Sequence, residues 1–133
     1  MNEKKIIRVR DVMKTNFDMV DRLQTIKDAL NQMAHVDAKC LIVNRRDEHD
    51  EYGIVMISDI ARRVLAKDLA PDRTNIYEIM SKPAISVHPD MDIRYCARLF
   101  GRFHLSRAPV MLDRKIVGII SLTDMVLKGL RDQ

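Results

Sequence analysis

The sequence predicts an α/β (α+β) fold made of two pseudo-symmetric β-α-β-β-α units packed sheet to sheet. The 133 residues are enough for one compact domain or two very small ones. One sequence pattern occurs twice, with Met13 and Met80 standing 67 residues apart. Helical and strand-like apolar spacings follow one another in the same order in both halves. The composition, 47% hydrophobic and 32% charged, is that of a globular protein and excludes a disordered or disulfide-framework chain.

The repeat has a single change of register. A shift of 67 pairs Val20 with Val87, whereas a shift of 65 pairs Gly53 with Gly118. The two-residue difference falls in the polar stretch 44–51 of the first half. Because surface hairpins tolerate differences in length, this register is physically sensible.

In the first unit, the pieces are an apolar turn, an extended piece, an amphipathic helix, two paired strands and a closing helix. The apolar turn should end at Met13. The other pieces should cover, in that order, residues 19–20, 26–33, 40–43 with 52–57, and 60–64. Thr25-x-x-Asp28 is a capping box in front of the first amphipathic helix. The apolar face that this helix is expected to bury consists of Ile26, Ala29, Leu30 and Met33.

The second unit repeats this order after a connector at 67–75. Its apolar turn should end at Met80. The other pieces should cover, in the same order, residues 85–87, 93–100, 108–112 with 116–120, and 125–130. On its amphipathic helix, Ile93, Cys96, Ala97 and Phe100 form the predicted buried face. Asp92 precedes them and can cap the helix.

The most diagnostic motif is a strand glycine followed by small apolar residues and a Ser/Thr-x-x-Asp helix start. It covers 117–124, and 53–59 keep much of it. With 9–13 and 107–110, these residues resemble a tandem pair of CBS domains, or Bateman module, over nearly the whole chain. The resemblance places CBS unit 1 at 9–66 and CBS unit 2 at 76–131, as a stand-alone pair.

The resemblance implies a non-catalytic regulatory or sensor module. Such pairs bind AMP, ADP, ATP or S-adenosylmethionine in a cleft between the two units. The motif aspartate typically binds the ribose hydroxyls, and the hydroxyl three residues earlier contacts phosphate. The expected nucleotide-binding residues, in chain order, are Lys82, Pro83, Ser86, Arg107, Ala108, Pro109, Ser121, Thr123 and Asp124, with Asp59 as a weaker candidate.

The chemistry of the helix start supports this assignment. A carboxylate such as that of Asp124 can accept hydrogen bonds from both hydroxyls of a ribose. A helix start also presents free N–H groups to an anion. Thr123 and Asp124 are equally ordinary N-terminal helix residues, so a capping role remains the alternative.

The first unit departs from the motif. Met56 stands where the phosphate-contacting hydroxyl is expected, and Leu41-Ile42 replaces Ala108-Pro109. We therefore expect one good site, built mainly by the second unit, and one degenerate or empty site around Asp59.

The alternative function is a ligand-free scaffold for dimerisation or docking. Arg94, Arg98 and Arg102 recur every four residues, and the net charge is +4. This basic face could meet an acidic protein or a nucleic acid, or it could simply be solvated. The absence of Trp and the 5% aromatic content argue against nucleic acid, because single-stranded binding needs stacking side chains. An unidentified protein partner is left open.

Several classes of protein are not favoured. The four histidines lack metal-ligand spacings, and no nucleophile or phosphate-loop motif is present, so we expect no enzyme activity, metal or required cofactor. The two cysteines, Cys40 and Cys96, are expected to be buried free thiols. No apolar run approaches the roughly 20 residues that span a bilayer, and no signal-peptide core opens the chain. We therefore expect a cytoplasmic protein.

The closing helices carry more apolar residues than one small module can cover. These residues are Val64, Leu65, Val126, Leu127 and Leu130. The resemblance also implies pairing of two modules, and closed two-fold dimers are the commonest soluble oligomers. We therefore expect a homodimer.

Overall fold

The computed structural model describes residues 5–131, which form two compact units. Residues 16–84 form the first, here called the central unit. Residues 5–15 and 85–131 form the second, here called the split unit. Residues 9–15, which open the first repeat, thus belong to the split unit, which contains the sheet of the second repeat. Residues 76–84, which open the second repeat, belong to the central unit, which contains the sheet of the first. The compact units and the sequence repeats therefore have different boundaries.

The chain has the expected mixed α+β architecture, with two small sheets. Its helices and strands are α1 (Val9–Val12), β1 (Asp18–Val20), α2 (Ile26–Gln32), β2 (Cys40–Val43), β3 (Gly53–Met56), α3 (Ile57–Ile60), α4 (Ile93–Phe103), β4 (Arg107–Leu112), β5 (Lys115–Ser121) and α5 (Leu122–Gly129). A π-helical segment, Ala61–Leu65, continues α3. Within residues 5–131 no helix is both long enough and apolar enough to cross a membrane.

The central unit is built on a three-stranded sheet in the order β1-β2-β3. Strand β2 is parallel to β1 and antiparallel to β3, and all four of its residues are buried. Helix α2 begins as the capping box predicts, because Thr25 Oγ1 accepts a hydrogen bond from the Asp28 N–H at 3.1 Å. Ile26 and Ala29 of this helix are buried, but Leu30 is 38% exposed, so its predicted burial was wrong. Helix α2 ends at Gln32 and presents only a narrow stripe to the core.

The sheet of the split unit is the antiparallel hairpin β4-β5. Asp113 and Arg114 at its turn both have positive φ, 51° and 65°, as a two-residue type I′ turn requires. The predicted extended piece at 85–87 is reduced to one parallel bridge between Val87 and Val110. This hairpin has a much shorter turn than its counterpart in the central unit, which is where the change of register was expected.

Helix α4 packs its apolar face into the core of the split unit. The Asp92 side chain accepts the Arg94 N–H at 2.9 Å, which caps the helix as predicted. Ile93, Cys96 and Phe100 are buried, but Ala97 is exposed, so that part of the prediction was wrong. At 100° per residue Ala97 lies about 70° from the centre of the buried stripe, which puts it at the edge.

Both cysteines are buried free thiols, as expected. Burial raises the pKa of the Cys96 thiol to about 11, because the thiolate would lose its solvation. A thiol with such a pKa is almost entirely protonated at neutral pH and is a poor nucleophile.

The opening segment of each repeat pairs with the last strand of a sheet. Lys14 and Ile119 exchange two backbone hydrogen bonds, at 2.9 and 2.8 Å. Ser81 and Ile54 do the same in the central unit, both at 2.9 Å. A Cβ on Gly118 would stand 2.7 Å from the carbonyl oxygen of Lys14. The strand glycine of the motif is thus needed for this close backbone approach.

Candidate functional site

The start of α5 holds a buried carboxylate. Asp124 is 4% exposed and occupies the third position of the helix. Ser121 is the N-cap, and its Oγ accepts the Asp124 N–H at 3.1 Å. The same hydroxyl donates to Asp124 Oδ2 at 3.0 Å. The cap therefore holds the carboxylate in one orientation instead of leaving it in solvent.

The other carboxylate oxygen of Asp124 forms an ion pair with a lysine. Lys14 Nζ lies 2.7 Å from Asp124 Oδ1, and Lys128 Nζ lies 3.6 Å from the same atom. Sequence reasoning missed Lys14 altogether. Lys14 directly follows the motif at 9–13, but nothing in that motif indicates that it pairs with β5. The contact becomes visible only once Lys14 is bridged to Ile119.

Four predicted residues meet at this end of the β4-β5 hairpin. Arg107, half-buried, begins β4 directly opposite Ser121, the last residue of β5. Thr123, one residue before Asp124, is exposed. Two hydroxyls, a guanidinium and a carboxylate therefore share one edge of the split unit, a set that can bind hydroxyl and phosphate groups.

The neighbouring candidates offer less. The side chains of Ala108 and Pro109 are buried in the core. The Pro109 carbonyl oxygen accepts the Val87 N–H at 3.0 Å. Ser86, next to Val87, is half-buried. These residues support the hairpin, and only their backbone or Ser86 could reach a ligand.

Lys82 and Pro83 belong to the central unit, unlike Asp124. Lys82 Nζ lies 2.8 Å from Asp50 Oδ1, in the hairpin loop of that unit. Hydrogen bonding from Lys82, with a further bond from the backbone of Arg46, holds the pKa of Asp50 well below its usual range. The Lys82 ammonium is therefore engaged by a carboxylate of its own unit.

Asp59, the counterpart of Asp124, has a different partner. Its Oδ2 accepts the backbone N–H of Met56 at 3.2 Å. Because Met56 has no hydroxyl, no side chain there can orient the carboxylate as Ser121 orients Asp124. The repeat places Ser81 where the other unit has Lys14. The two equivalent carboxylates thus differ in both hydroxyl and cation.

The arginine face of α4 is partly engaged within its own helix. Arg94 Nη2 lies 2.7 Å from Asp92 Oδ2, and this hydrogen-bonded pair lowers the pKa of Asp92 to about 2. The Arg98 guanidinium lies 5.1 Å from the Tyr95 ring centroid. Arg102 is exposed. This arrangement fits a solvated helix face. Within residues 5–131, no group of three or more His, Cys, Asp or Glu side chains could hold a metal ion.

A family model for the CBS domain matches residues 9–66 and 76–130. The chain belongs to the CBS-domain family. It contains a tandem CBS pair, which is a regulatory module. The matched ranges are the two sequence repeats, so the resemblance inferred from the motifs is confirmed.

Solved structures of CBS pairs have the same fold. A hexameric CBS-CP12 protein from bloom-forming cyanobacteria superposes with a TM-score of 0.89 and 35% identity, over 94% of this chain and 69% of that one. The CBS pair of protein MJ0100, in complex with 5′-methylthioadenosine and S-adenosyl-L-methionine, superposes with a TM-score of 0.75 and 27% sequence identity. The superposition covers 94% of this chain and 98% of that one. CBS pairs like this one therefore include an oligomer and a protein that binds adenosine-containing ligands.

A curated relative is longer than the part that it shares with this chain. Uncharacterized protein MJ0450 of Methanocaldococcus jannaschii is 25% identical over 103 residues, which are 77% of this chain and 55% of that protein. The chain thus spans about half the length of this relative.

Proposed function

We propose that this CBS pair is a non-catalytic regulatory module that binds an adenosine-containing nucleotide at the start of α5. The observation that carries the proposal is the Asp124 carboxylate, 4% exposed and hydrogen-bonded by the N-cap hydroxyl of Ser121. A buried carboxylate held in place is suited to accept hydrogen bonds from ribose hydroxyls. The MJ0100 pair, in complex with two adenosine compounds, supports this ligand class.

The surrounding groups suit the phosphate of AMP, ADP or ATP. Arg107 faces Ser121 across the hairpin, and the exposed Thr123 lies in the first turn of α5. A guanidinium and a hydroxyl at the positive end of a helix dipole favour an anion. The site thus combines a ribose acceptor with phosphate donors, which is why we prefer a nucleotide to a nucleoside.

We expect Asp124→Ala to weaken nucleotide binding strongly and Asp59→Ala to weaken it little. Each lost charge-assisted hydrogen bond contributes about 1.5–3 kcal/mol, so affinity should fall roughly ten- to a hundredfold or more. Calorimetric titration with AMP, ADP, ATP and S-adenosylmethionine measures this. Asp124→Asn, which keeps the shape of the side chain, separates lost binding from lost folding.

Thermal melting gives a second measurement on the wild-type protein. At a ligand concentration near 100 times the dissociation constant, stabilisation should be about 2.7 kcal/mol, visible as a raised melting temperature. If none of the four ligands produces heat or a shift, the proposed function is wrong and a ligand-free scaffold is favoured. Equal losses from Asp124→Ala and Asp59→Ala would contradict the ranking of the two sites.

We also propose that the module forms a homodimer through its closing helices. Val126 and Leu127 of α5 are at least half exposed, and so are its C-cap, Leu130, and Leu65 in the central unit. Val64 does not contribute, contrary to expectation, because it is 3% exposed and part of the core. The similar CBS-CP12 protein is hexameric, which supports self-association of this chain. Apolar exposure on this scale is typical of an interface.

We expect light scattering to show a dimer that Leu127→Glu converts to a monomer. Leu127 is 50% exposed, so the charge disrupts an interface without entering the core. Leu112→Glu, at an exposed leucine at the end of β4, is the matched control and should remain dimeric. A monomeric wild-type protein at tens of micromolar would contradict the proposal.

A further inference from the structure

We propose that Lys14 determines ligand specificity at the start of α5. Its ammonium pairs with the Asp124 carboxylate in this structure and, when a ribose takes up that carboxylate, pairs with the phosphate of the same ligand. The site then selects phosphate-bearing adenine nucleotides over adenosine and over the sulfonium cation S-adenosylmethionine. The inference rests on the proposed function and identifies its substrate class.

Groups of the chain itself hydrogen-bond both oxygens of the carboxylate. Lys14 Nζ is 2.7 Å from Asp124 Oδ1, and Ser121 Oγ is 3.0 Å from Oδ2. A ribose that takes hydrogen bonds from this carboxylate must share or displace the ammonium. Since a cation deprived of its partner in a partly buried site is costly, the displaced ammonium needs another anion. A phosphate group on the same ligand supplies one.

The backbone of Lys14 keeps the ammonium at the site. Two backbone hydrogen bonds to Ile119 anchor its Cα beside β5, and its side chain remains 30% exposed. A lysine stem is flexible, with rotatable bonds along four carbons. The ammonium can therefore move from Asp124 to a neighbouring phosphate while the main chain stays where it is.

The two repeats show that the fold does not require this lysine. Ser81 forms the same pair of backbone hydrogen bonds to Ile54 that Lys14 forms to Ile119. Serine therefore suffices for the bridge. In that unit Asp59 accepts a hydrogen bond from the backbone of Met56, and the part of the chain that the structure describes shows no ion pair at Asp59. The cation is thus an addition to one of two equivalent positions, as expected of a functional group.

The charges around Asp124 favour an anionic ligand. Lys14 and Lys128 both lie within 4 Å of Asp124 Oδ1, at 2.7 and 3.6 Å. Two cations face one carboxylate, which leaves one positive charge for the ligand to balance. A phosphate group neutralises this positive charge, whereas uncharged adenosine does not. The sulfonium of S-adenosylmethionine would add a further positive charge.

The test compares AMP with adenosine by calorimetric titration of the wild-type protein and three variants. Lys14→Met should lower the ratio of AMP affinity to adenosine affinity by about tenfold or more, because it removes one charge-assisted hydrogen bond to the phosphate. Adenosine should bind Lys14→Met at least as well as wild type, since the ammonium that hydrogen-bonds to Asp124 at 2.7 Å is gone. Lys14→Arg should retain the preference. Lys115→Met, at an exposed lysine that begins β5 and so lies at the opposite end of that strand from Ser121, should change it by less than about twofold.

Each outcome has one meaning. An unchanged ratio of AMP to adenosine affinity in Lys14→Met would overturn this inference while the proposed function stands. No binding of either compound to the wild-type protein would overturn the proposed function, and this inference with it. Far-UV circular dichroism checks folding, and Lys14→Ser, the residue that the other repeat has, replaces Lys14→Met if that variant does not fold.

Discussion

Replacing Phe100 with alanine should lower the free energy of unfolding by about 3–5 kcal/mol, the largest change we expect from a single truncation. Phe100 is fully buried on α4, in the same core cluster as Cys96, Ala108 and Val110. Removing the ring loses its transfer free energy and leaves a cavity, because close-packed neighbours relax only in part. Urea unfolding followed by circular dichroism measures the change.

Phe103→Ala is the matched control for this prediction. Phe103 lies one turn further along the same helix and is 50% exposed, so its loss should cost well under 1 kcal/mol. A loss below about 1 kcal/mol for Phe100→Ala itself would contradict the assignment of this face to the core.

Gly118→Ala should be the most damaging addition of a single methyl group. The new Cβ would stand 2.7 Å from both the Lys14 carbonyl oxygen and Met13 Sδ. Because the first of these is a backbone atom, the bridge between Lys14 and Ile119 must open. We expect a loss of about 1–3 kcal/mol in unfolding free energy. We also expect weaker nucleotide binding, since the bridge positions Lys14 beside Asp124.

Gly101→Ala, in the same unit as Gly118, should stabilise the protein, the opposite of what we expect for Gly118→Ala. Apart from its chain neighbours and the backbone of its own helix, no atom of residues 5–131 lies within 4 Å of a Cβ at Gly101, in the interior of α4. Alanine there should stabilise the protein by roughly 0.5–1 kcal/mol, because glycine loses more backbone entropy in a helix. Urea unfolding of both variants gives the comparison. A neutral Gly118→Ala would mean that the opening segment is not held against β5.

Local chemistry made much of the fold predictable from the sequence. The caps at Thr25 and Asp92 need only a side-chain oxygen and an N–H two or three residues away. Apolar periodicity identified both amphipathic helices and both hairpins, since a helix or hairpin has a spacing of its own. The repeat with its change of register identified the CBS pair. Asp124 was accessible to the same reasoning because Ser121 and Gly118 lie nearby in sequence.

The sequence by itself determined most of the elements and which carboxylate is the better ligand candidate, whereas only the tertiary structure decided what surrounds that carboxylate. Lys14 is 110 residues from Asp124, and its contact depends on the opening segment joining β5. A short segment satisfies its backbone hydrogen bonds equally well at either sheet edge, so its own residues do not specify the strand that it joins. In the folded structure Lys14 packs against Gly118 of β5, and this placement brings the cation that we assign to the site.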